Sequence, residues 1–167
     1  MDIGIKDLTD SRDTVNKWLS RYGVRFGVYK NNTFNEQLFP FDSVPRIISK
    51  SDWNYLEKGL RQRVEALNKF LWDIYHEKNI IKDGVVPAEF VYSSKGYTPE
   101  CEGISPLCAV YAHIAGIDLV EGKDNQWYVL EDNLRIPSGA SYPMIARQIT
   151  RRVSPSTFAT HAVAENR

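Results

Sequence analysis

The stretch Gly116-Ile-Asp-Leu-Val-Glu-Gly-Lys-Asp-Asn-Gln-Trp-Tyr-Val-Leu-Glu-Asp-Asn-Leu-Arg-Ile-Pro-Ser-Gly139 decides the fold of this chain. Two runs rich in β-branched and aromatic residues flank Gly122, Asp124 and Asn125, which are turn formers. The pattern predicts a long antiparallel hairpin, with a first strand over Cys108 to Val120 and a second over Gln126 to Leu134. A four-residue loop, Lys123 to Gln126, sets Gly122 opposite Trp127, and counting outward then sets Asp118 directly opposite Glu131. Side chains alternate along a strand, so Asp118, Glu131 and Asn133 share one face, while Leu130, Asp132 and Leu134 take the other. Directly opposed carboxylates repel unless a cation sits between them, and an all-oxygen donor set suits Mg²⁺ with bound phosphate. Plain decoration of a solvent-facing side fits the same spacing, and spacing alone does not choose between the two.

The residues after the second strand bear on that choice. Ser138-Gly139 stands at a predicted strand-to-helix junction, where unpaired backbone N–H groups bind anions; a simple N-cap is the bland alternative. Arg135 stands beside it, and its guanidinium can neutralise a phosphate or an acyl phosphate through two parallel hydrogen bonds. Arg46 follows Pro45 in a segment, Phe39 to Ile48, whose two prolines deny it helix. That rigid path can present Arg46 to a substrate or phosphate, or to a surface ion pair. His113 reads as a strand histidine satisfied by hydrogen bonds.

Outward from the hairpin, Val15, Trp18, Leu19 and Tyr22 recur at helical spacing over Ser11 to Tyr22, and Gly23 follows where a helix stops. Val24 to Tyr29 and the run through Leu38 flank Asn31-Asn32 and predict a second, shorter hairpin. From Ser51 to about Lys78, Trp53, Leu56, Leu60, Val64, Leu67, Leu71 and Ile74 step by three or four, the mark of the longest helix. Its other face, with Glu57, Lys58, Arg61, Arg63, Glu65 and Lys69, reads as a solvated surface with local ion pairs. Asp83-Gly84 marks a turn, and Pro87 opens a short helix through Val91. Residues from Ser93 to Pro106 read as loop, and a further helix carries Met144, Ile145 and Ile149 on one side. The fold class is therefore α+β, antiparallel hairpins with flanking helices.

At 167 residues the chain is long enough for one domain with its own core and short for two. Twenty-one basic residues cancel twenty-one acidic ones, so no overall field holds it to nucleic acid or an anionic membrane. Nothing approaches the ~20 consecutive apolar residues of a membrane span, and Met1 to Asp10 is unlike a signal peptide. Cys101 and Cys108 have neither CxxC spacing nor nearby His pairs, so they read as a reduced pair in a cytoplasmic protein.

The sequence resembles the circularly permuted ATP-grasp proteins, whose relatives include glutathionylspermidine synthase. The resemblance runs from Phe39-Pro-Phe-Asp through Pro45-Arg-Ile-Ile, Lys58-Gly-Leu-Arg-Gln-Arg-Val-Glu-Ala-Leu-Asn, Asp83-Gly-Val-Val-Pro-Ala-Glu and His113-Ile-Ala-Gly-Ile-Asp-Leu-Val to Leu130-Glu-Asp-Asn-Leu-Arg-Ile-Pro-Ser-Gly. It implies an ATP-dependent ligase that activates a small-molecule or peptide carboxylate as an acyl phosphate, which an amine or thiol acceptor then attacks. In that family an acid on one strand and an E-x-N pair on the next hold magnesium against the nucleotide's phosphates, and the matching positions are Asp118, Glu131 and Asn133. ATP and Mg²⁺ are the implied cofactors, with Ser138, Gly139 and Arg135 toward the phosphates and Arg135 and Arg46 as catalytic candidates.

In the synthase relative an arginine stands two residues before the strand acid. Here that position is Gly116, so Arg135 or Arg46 must take over its role. In the permuted order, the lysines and linker strand that grip adenine follow the E-x-N strand. Residues 1–167 therefore read as a single partial domain, the amino-terminal part of the fold. It needs the remainder of the fold as a partner, and self-association through the uncovered sheet is expected. The alternative is a non-catalytic nucleotide- or metal-binding module, or a scaffold, that needs a partner.

Overall fold

A computed structural model of the chain describes residues 5–137, 139, 141–160 and 162–164, with residues 5–10 as backbone only. Six α-helices and two separate two-stranded antiparallel sheets make the described residues α+β. They fall into two compact units, one formed by residues up to Ile47 together with those after Pro137, the other by Ile48–Pro137.

In the first unit α1 spans Ile5–Arg21, starting earlier than the pattern at Ser11 suggests. It stops at Gly23, whose φ of +64° carries the left-handed conformation that ends helices, with Val24 N–H donating back to Leu19 O at 2.9 Å. β1 (Arg25–Lys30) and β2 (Thr33–Leu38) pair antiparallel, with Lys30 opposite Thr33. The tight turn between them needs positive φ at both Asn31 and Asn32, which asparagine tolerates. The double-proline path over 39–49 is free of helix and strand, as expected. Its Phe39 and Phe41 pack on a core of Val15, Leu19 and Ile149, the last from α5 (Ser141–Val153). Phe39 also stacks on Tyr142, whose hydroxyl donates to Arg25 O at 2.9 Å. α6 (Pro155–Thr160) follows.

The second unit is organised by α2 (Lys50–Tyr75), which Ser49 caps by accepting from Asp52 N–H at 3.1 Å. From the last turn of α2, both carboxylate oxygens of Asp73 accept backbone N–H groups, from Asn79 at 3.0 Å and Ile80 at 2.9 Å, at the start of α3 (Asn79–Lys82). α4 (Ala88–Tyr92) starts after Pro87. Ile74, Tyr75 and Val91 form the buried centre here.

The first strand of the principal hairpin is shorter than its sequence suggests. β3 spans Gly116–Glu121 and β4 Trp127–Asn133, whereas residues 108–115 form no strand. Cys108 and Ala109 have positive φ, which ends any extended run. Beyond them the backbone is satisfied by a side chain instead of a ladder. Asn68 of α2 accepts from Tyr111 N–H at 2.8 Å and Ala112 N–H at 2.9 Å, and donates to Ala112 O at 3.4 Å. His113 is accordingly an exposed loop residue, not a strand one.

Candidate metal and phosphate site

The turn of the principal hairpin holds Gly122 to Gln126, one residue more than the sequence count allowed, since the last pair is Glu121 opposite Trp127. Asn125 takes a φ of +58° and donates its N–H to Gly122 O at 3.0 Å. An added Cβ on Gly122 would lie 2.6 Å from Asp124 Oδ1 and 2.8 Å from the Tyr128 ring, so a larger residue there must displace the Asp124–Tyr128 pair. Asp124 accepts from the Tyr128 hydroxyl at 2.6 Å, which holds its carboxyl below the usual range, with the Gln126 N–H adding to the effect.

A turn one residue longer would by itself set Asp118 opposite Leu130. A bulge in β4 undoes that shift. Pairing runs Leu119 with Val129, then Asp118 with Glu131, Ile117 with Asp132 and Gly116 with Asn133, leaving Leu130 as the extra residue. The expected partnership of Asp118 and Glu131 is therefore present, through a longer loop and a compensating bulge.

The two faces of the hairpin differ in what they meet. Ile117 and Leu119 are half-buried, whereas Asp118, Val120, Tyr128 and Glu131 are exposed. Asn133 Nδ2 donates to Glu131 Oε1 at 2.8 Å, which ties these two side chains together. Asp132 turns the other way. Both its oxygens accept from Arg63 of α2, Nε and Nη2 each at 2.7 Å, and the Arg63 hydrogen bonds hold its carboxyl below the ordinary range. The face of α2 that reads as solvated thus behaves so at Arg61, which pairs locally with Glu57 at 3.4 Å, but not at Arg63. Sequence reasoning missed Arg63 because its partner lies 69 residues away.

Gly116 permits the end of the hairpin to close. A Cβ there would stand 2.8 Å from Cβ of Pro137 and 3.6 Å from Cβ of Asn133, so the arginine of the synthase relative has no room at this position. Arg135 is exposed in the bend after β4, between Asn133 and Ile136, the latter with a φ of +42°. Arg46 and Gly139 are exposed and belong to the other unit, and Ser138 lies outside the described residues. Gly139 meets nothing within 4 Å of an added Cβ, so packing does not demand glycine there. Among the described residues no three His, Cys, Asp or Glu side chains cluster as a cation site; the hairpin set has two carboxylates and one amide. No helix among them is long and apolar enough to cross a membrane.

Comparison with known proteins gives the site its context. An uncharacterized protein of Synechocystis sp. is 46% identical over 153 residues, covering 92% of this chain and 32% of that protein. A Mycobacterium leprae protein, also uncharacterized, is 44% identical over 145 residues, covering 87% of this chain and 26% of its own length. A Frankia casuarinae protein with the name "Putative glutamate–cysteine ligase 2-2" is 49% identical over 117 residues, 70% of this chain and 14% of that protein. The chain thus spans a third or less of each of these relatives. The family model described as circularly permuted ATP-grasp type 2 matches residues 45–167, which include the long helix and both strands of the principal hairpin. The chain belongs to the circularly permuted ATP-grasp family.

Proposed function

We propose that this chain supplies the metal- and phosphate-holding part of an ATP-dependent carboxylate–amine ligase, with Asp118, Glu131 and Asn133 as the Mg²⁺ ligands. The observation that supports this most is the cross-strand pairing of Asp118 with Glu131 on the exposed face, with Asn133 bonded to Glu131. Two like charges opposed in a ladder destabilise it, and a divalent cation removes that cost. The donor set fits the ion, since carboxylate and amide oxygens are the hard ligands Mg²⁺ takes while keeping waters for phosphate oxygens. Family members use ATP and Mg²⁺. Bound there, the ion would screen the negative charge of the nucleotide's phosphates.

The rest of the chemistry falls to protein side chains and substrates. A carboxylate oxygen attacks the terminal phosphorus of ATP, ADP leaves, and the acyl phosphate then gains a C–N bond to the amine as its C–O bond to phosphate breaks and the amine loses a proton. Arg135, two residues beyond Asn133, is placed in this reading to pair with the transferred phosphoryl group. Arg46, Ser138 and Gly139 are assigned to phosphate or carboxylate contact. Catalysis of this type rests on positioning and charge neutralisation. The name of the Frankia relative also speaks of joining a carboxylic acid to an amine-bearing one, which supports the same reaction class.

Residues 1–167 are taken here as one partial domain, the amino-terminal part of the permuted fold, with the adenine contacts coming from its remainder. Exposed Tyr128, Val129 and Leu130 on β4 are apolar surface for that remainder, or for self-association, to cover. Glutathionylspermidine-synthase-like chemistry in the cytoplasm is the finer form of the proposal. Titration of the chain with Mg²⁺ and ATP, followed by the amide resonances of Asp118, Glu131 and Asn133, tests the site. Unchanged resonances at those three positions on saturation with both would remove the metal assignment.

A further inference from the structure

The principal hairpin has two ways to pair. Starting from Glu121 opposite Trp127, a bulge-free ladder continues to Asp118 opposite Leu130, Ile117 opposite Glu131 and Gly116 opposite Asp132. The observed ladder departs from it at Leu130 and restores Asp118 to Glu131. A one-residue slip turns every later side chain of β4 to the opposite face, so Glu131 and Asn133 would leave the side of Asp118. Apolar burial does little to choose between these registers, because the residue exchanged, Leu130, is 68% exposed where it stands. An ordinary core-facing strand has its phase fixed by hydrophobic pattern; this one lacks that device at the decisive position.

What distinguishes the registers is the contact between Asp132 and Arg63. A guanidinium fork meeting both oxygens of one carboxylate at 2.7 Å fixes orientation as well as distance, which a single ion pair does not. Arg63 projects from the middle of a 26-residue helix, so the clamp ties the strand to the most extended rigid element of its unit. The side chain of Asp132 is 17% exposed and that of Arg63 44%, so the pair is partly shielded from water. The close approach of Gly116 to Pro137 and Asn133 closes the same end of the hairpin.

We propose that Arg63 and Asp132 are positioning residues for the cation edge: α2, through this clamp, selects the bulged register that presents Glu131 and Asn133 beside Asp118. The inference rests on the metal reading of that face. Asp132 is then no neutral bystander between the two ligands. Its replacement by asparagine leaves Arg63 without a carboxylate at that position, and a slip by one residue offers it Glu131 instead, which withdraws that ligand from the outer face.

The test uses the isotopically labelled 167-residue chain, with Asp132→Asn, Arg63→Ala and the exchanged pair Arg63→Asp with Asp132→Arg. Two readouts are taken: cross-strand nuclear Overhauser contacts that report whether Asp118 faces Glu131 or Leu130, and paramagnetic broadening of the amides of 118, 131 and 133 by Mn²⁺. Each single variant is expected to lose the Asp118–Glu131 contact and to need about tenfold more Mn²⁺ for equal broadening, as when groups that orient metal ligands are removed. The exchanged pair is expected to restore both. Retention of pairing and Mn²⁺ response in the single variants overturns the proposal, and so does lost pairing with unchanged Mn²⁺ response. Where a single variant fails to fold, the exchanged pair decides, since a folded exchanged pair without the contact also overturns it. Normal pairing in the wild-type chain without broadening at these amides sinks the metal reading itself, and the positioning role with it.

Discussion

Asp118 faces Glu131 because β4 carries one residue too many: the ladder steps from Leu119–Val129 to Asp118–Glu131 and leaves Leu130 unpaired. The bulge and the five-residue turn offset one another, so the same facing pair can be reached with neither irregularity. Deleting Leu130 would join Val129 directly to Glu131 and continue the ladder without a step. The expected outcome is an intact Asp118–Glu131 contact and a hairpin at least as stable as the wild type. Cross-strand contacts in the deletion variant check it, and a pairing of Asp118 with Asp132 would contradict it.

Two glycines of the second unit should answer an alanine in opposite directions. Gly59 lies in α2 with nothing within 4 Å of an added Cβ, so Gly59→Ala is expected to stabilise by about 1 kcal/mol through helix propensity. Gly116→Ala drives a methyl to 2.8 Å from Pro137 and is expected to cost about 1–3 kcal/mol. Urea denaturation of both variants gives the comparison, and equal signs would show that the hairpin's end is not closed as described.

Elements whose signals are local were legible in the sequence. The turn at Asn31-Asn32, the stop at Gly23 and the apolar stripe of α2 each act within a few residues, and each appears where the pattern puts it. The extended run over 108–115 was misread because its backbone partner is Asn68, more than forty residues back, which no window over the run itself contains. Arg63 was hidden for the same reason, since a charged residue on a helix face looks solvated until its partner on another element is known. The pairing of Asp118 with Glu131 was legible, although the loop length used to reach it was short by one and the bulge was unseen. A turn residue at positive φ announces itself; a bulge at a leucine does not.

Asn68 should therefore matter beyond its size. Its amide serves two backbone N–H groups and two carbonyls at once, those of Val64 and Ala112. Asn68→Ala leaves the N–H groups of Tyr111 and of buried Ala112 without their acceptor, and a loss of about 2–3 kcal/mol is expected. Hydrogen exchange gives a sharper signature than global stability: the amides of Tyr111 and Ala112 should lose protection while those of β1 and β2 keep theirs. Uniform loss across both hairpins would mean that Asn68 acts on the whole chain.

A cluster away from the hairpin should make part of the stability depend on pH. The Tyr97 hydroxyl donates to Glu102, which also accepts from Lys78 Nζ at 2.8 Å, and Tyr92 lies against the Lys78 ammonium. The hydrogen bond to Glu102, with burial next, pushes the Tyr97 phenol up to about 12, while the Lys78 and Tyr97 bonds hold Glu102 below its ordinary range. A raised phenol pKa gives stability that is complete below the unfolded value of about 10 and is lost as pH climbs toward the folded one. The depressed Glu102 works at the other end, with stability present above about 4.3 and lost on further acidification. Tyr97→Phe should thus reduce stability by a constant amount from about pH 5 to 9, and the deficit should shrink as pH rises through 10 to 12. Tyrosine absorbance titration checks the assignment directly: one phenol fewer should ionise late in the variant.

The last expectation concerns turnover in a chain that carries the remainder of the fold, assayed by ADP release with a panel of amino acids and short peptides. Glu131→Gln and Asn133→Ala should each reduce ATP turnover about hundredfold, because a ligand that helps neutralise phosphate charge contributes most as that charge shifts. Asp132→Asn is not an inert comparison although it stands between them, because Asp132 is clamped by Arg63. Tyr128→Phe is the proper control. It lies on the same exposed face of the same strand, opposite Val120, and its hydroxyl serves only the turn through Asp124. Near-normal turnover in Tyr128→Phe, an intermediate loss in Asp132→Asn and a deep loss in the two ligand variants is the ordering the hairpin geometry requires. If Glu131→Gln kept its activity, or if Tyr128→Phe fell as far as the ligand variants, the outer face of this hairpin would not be where the cation acts.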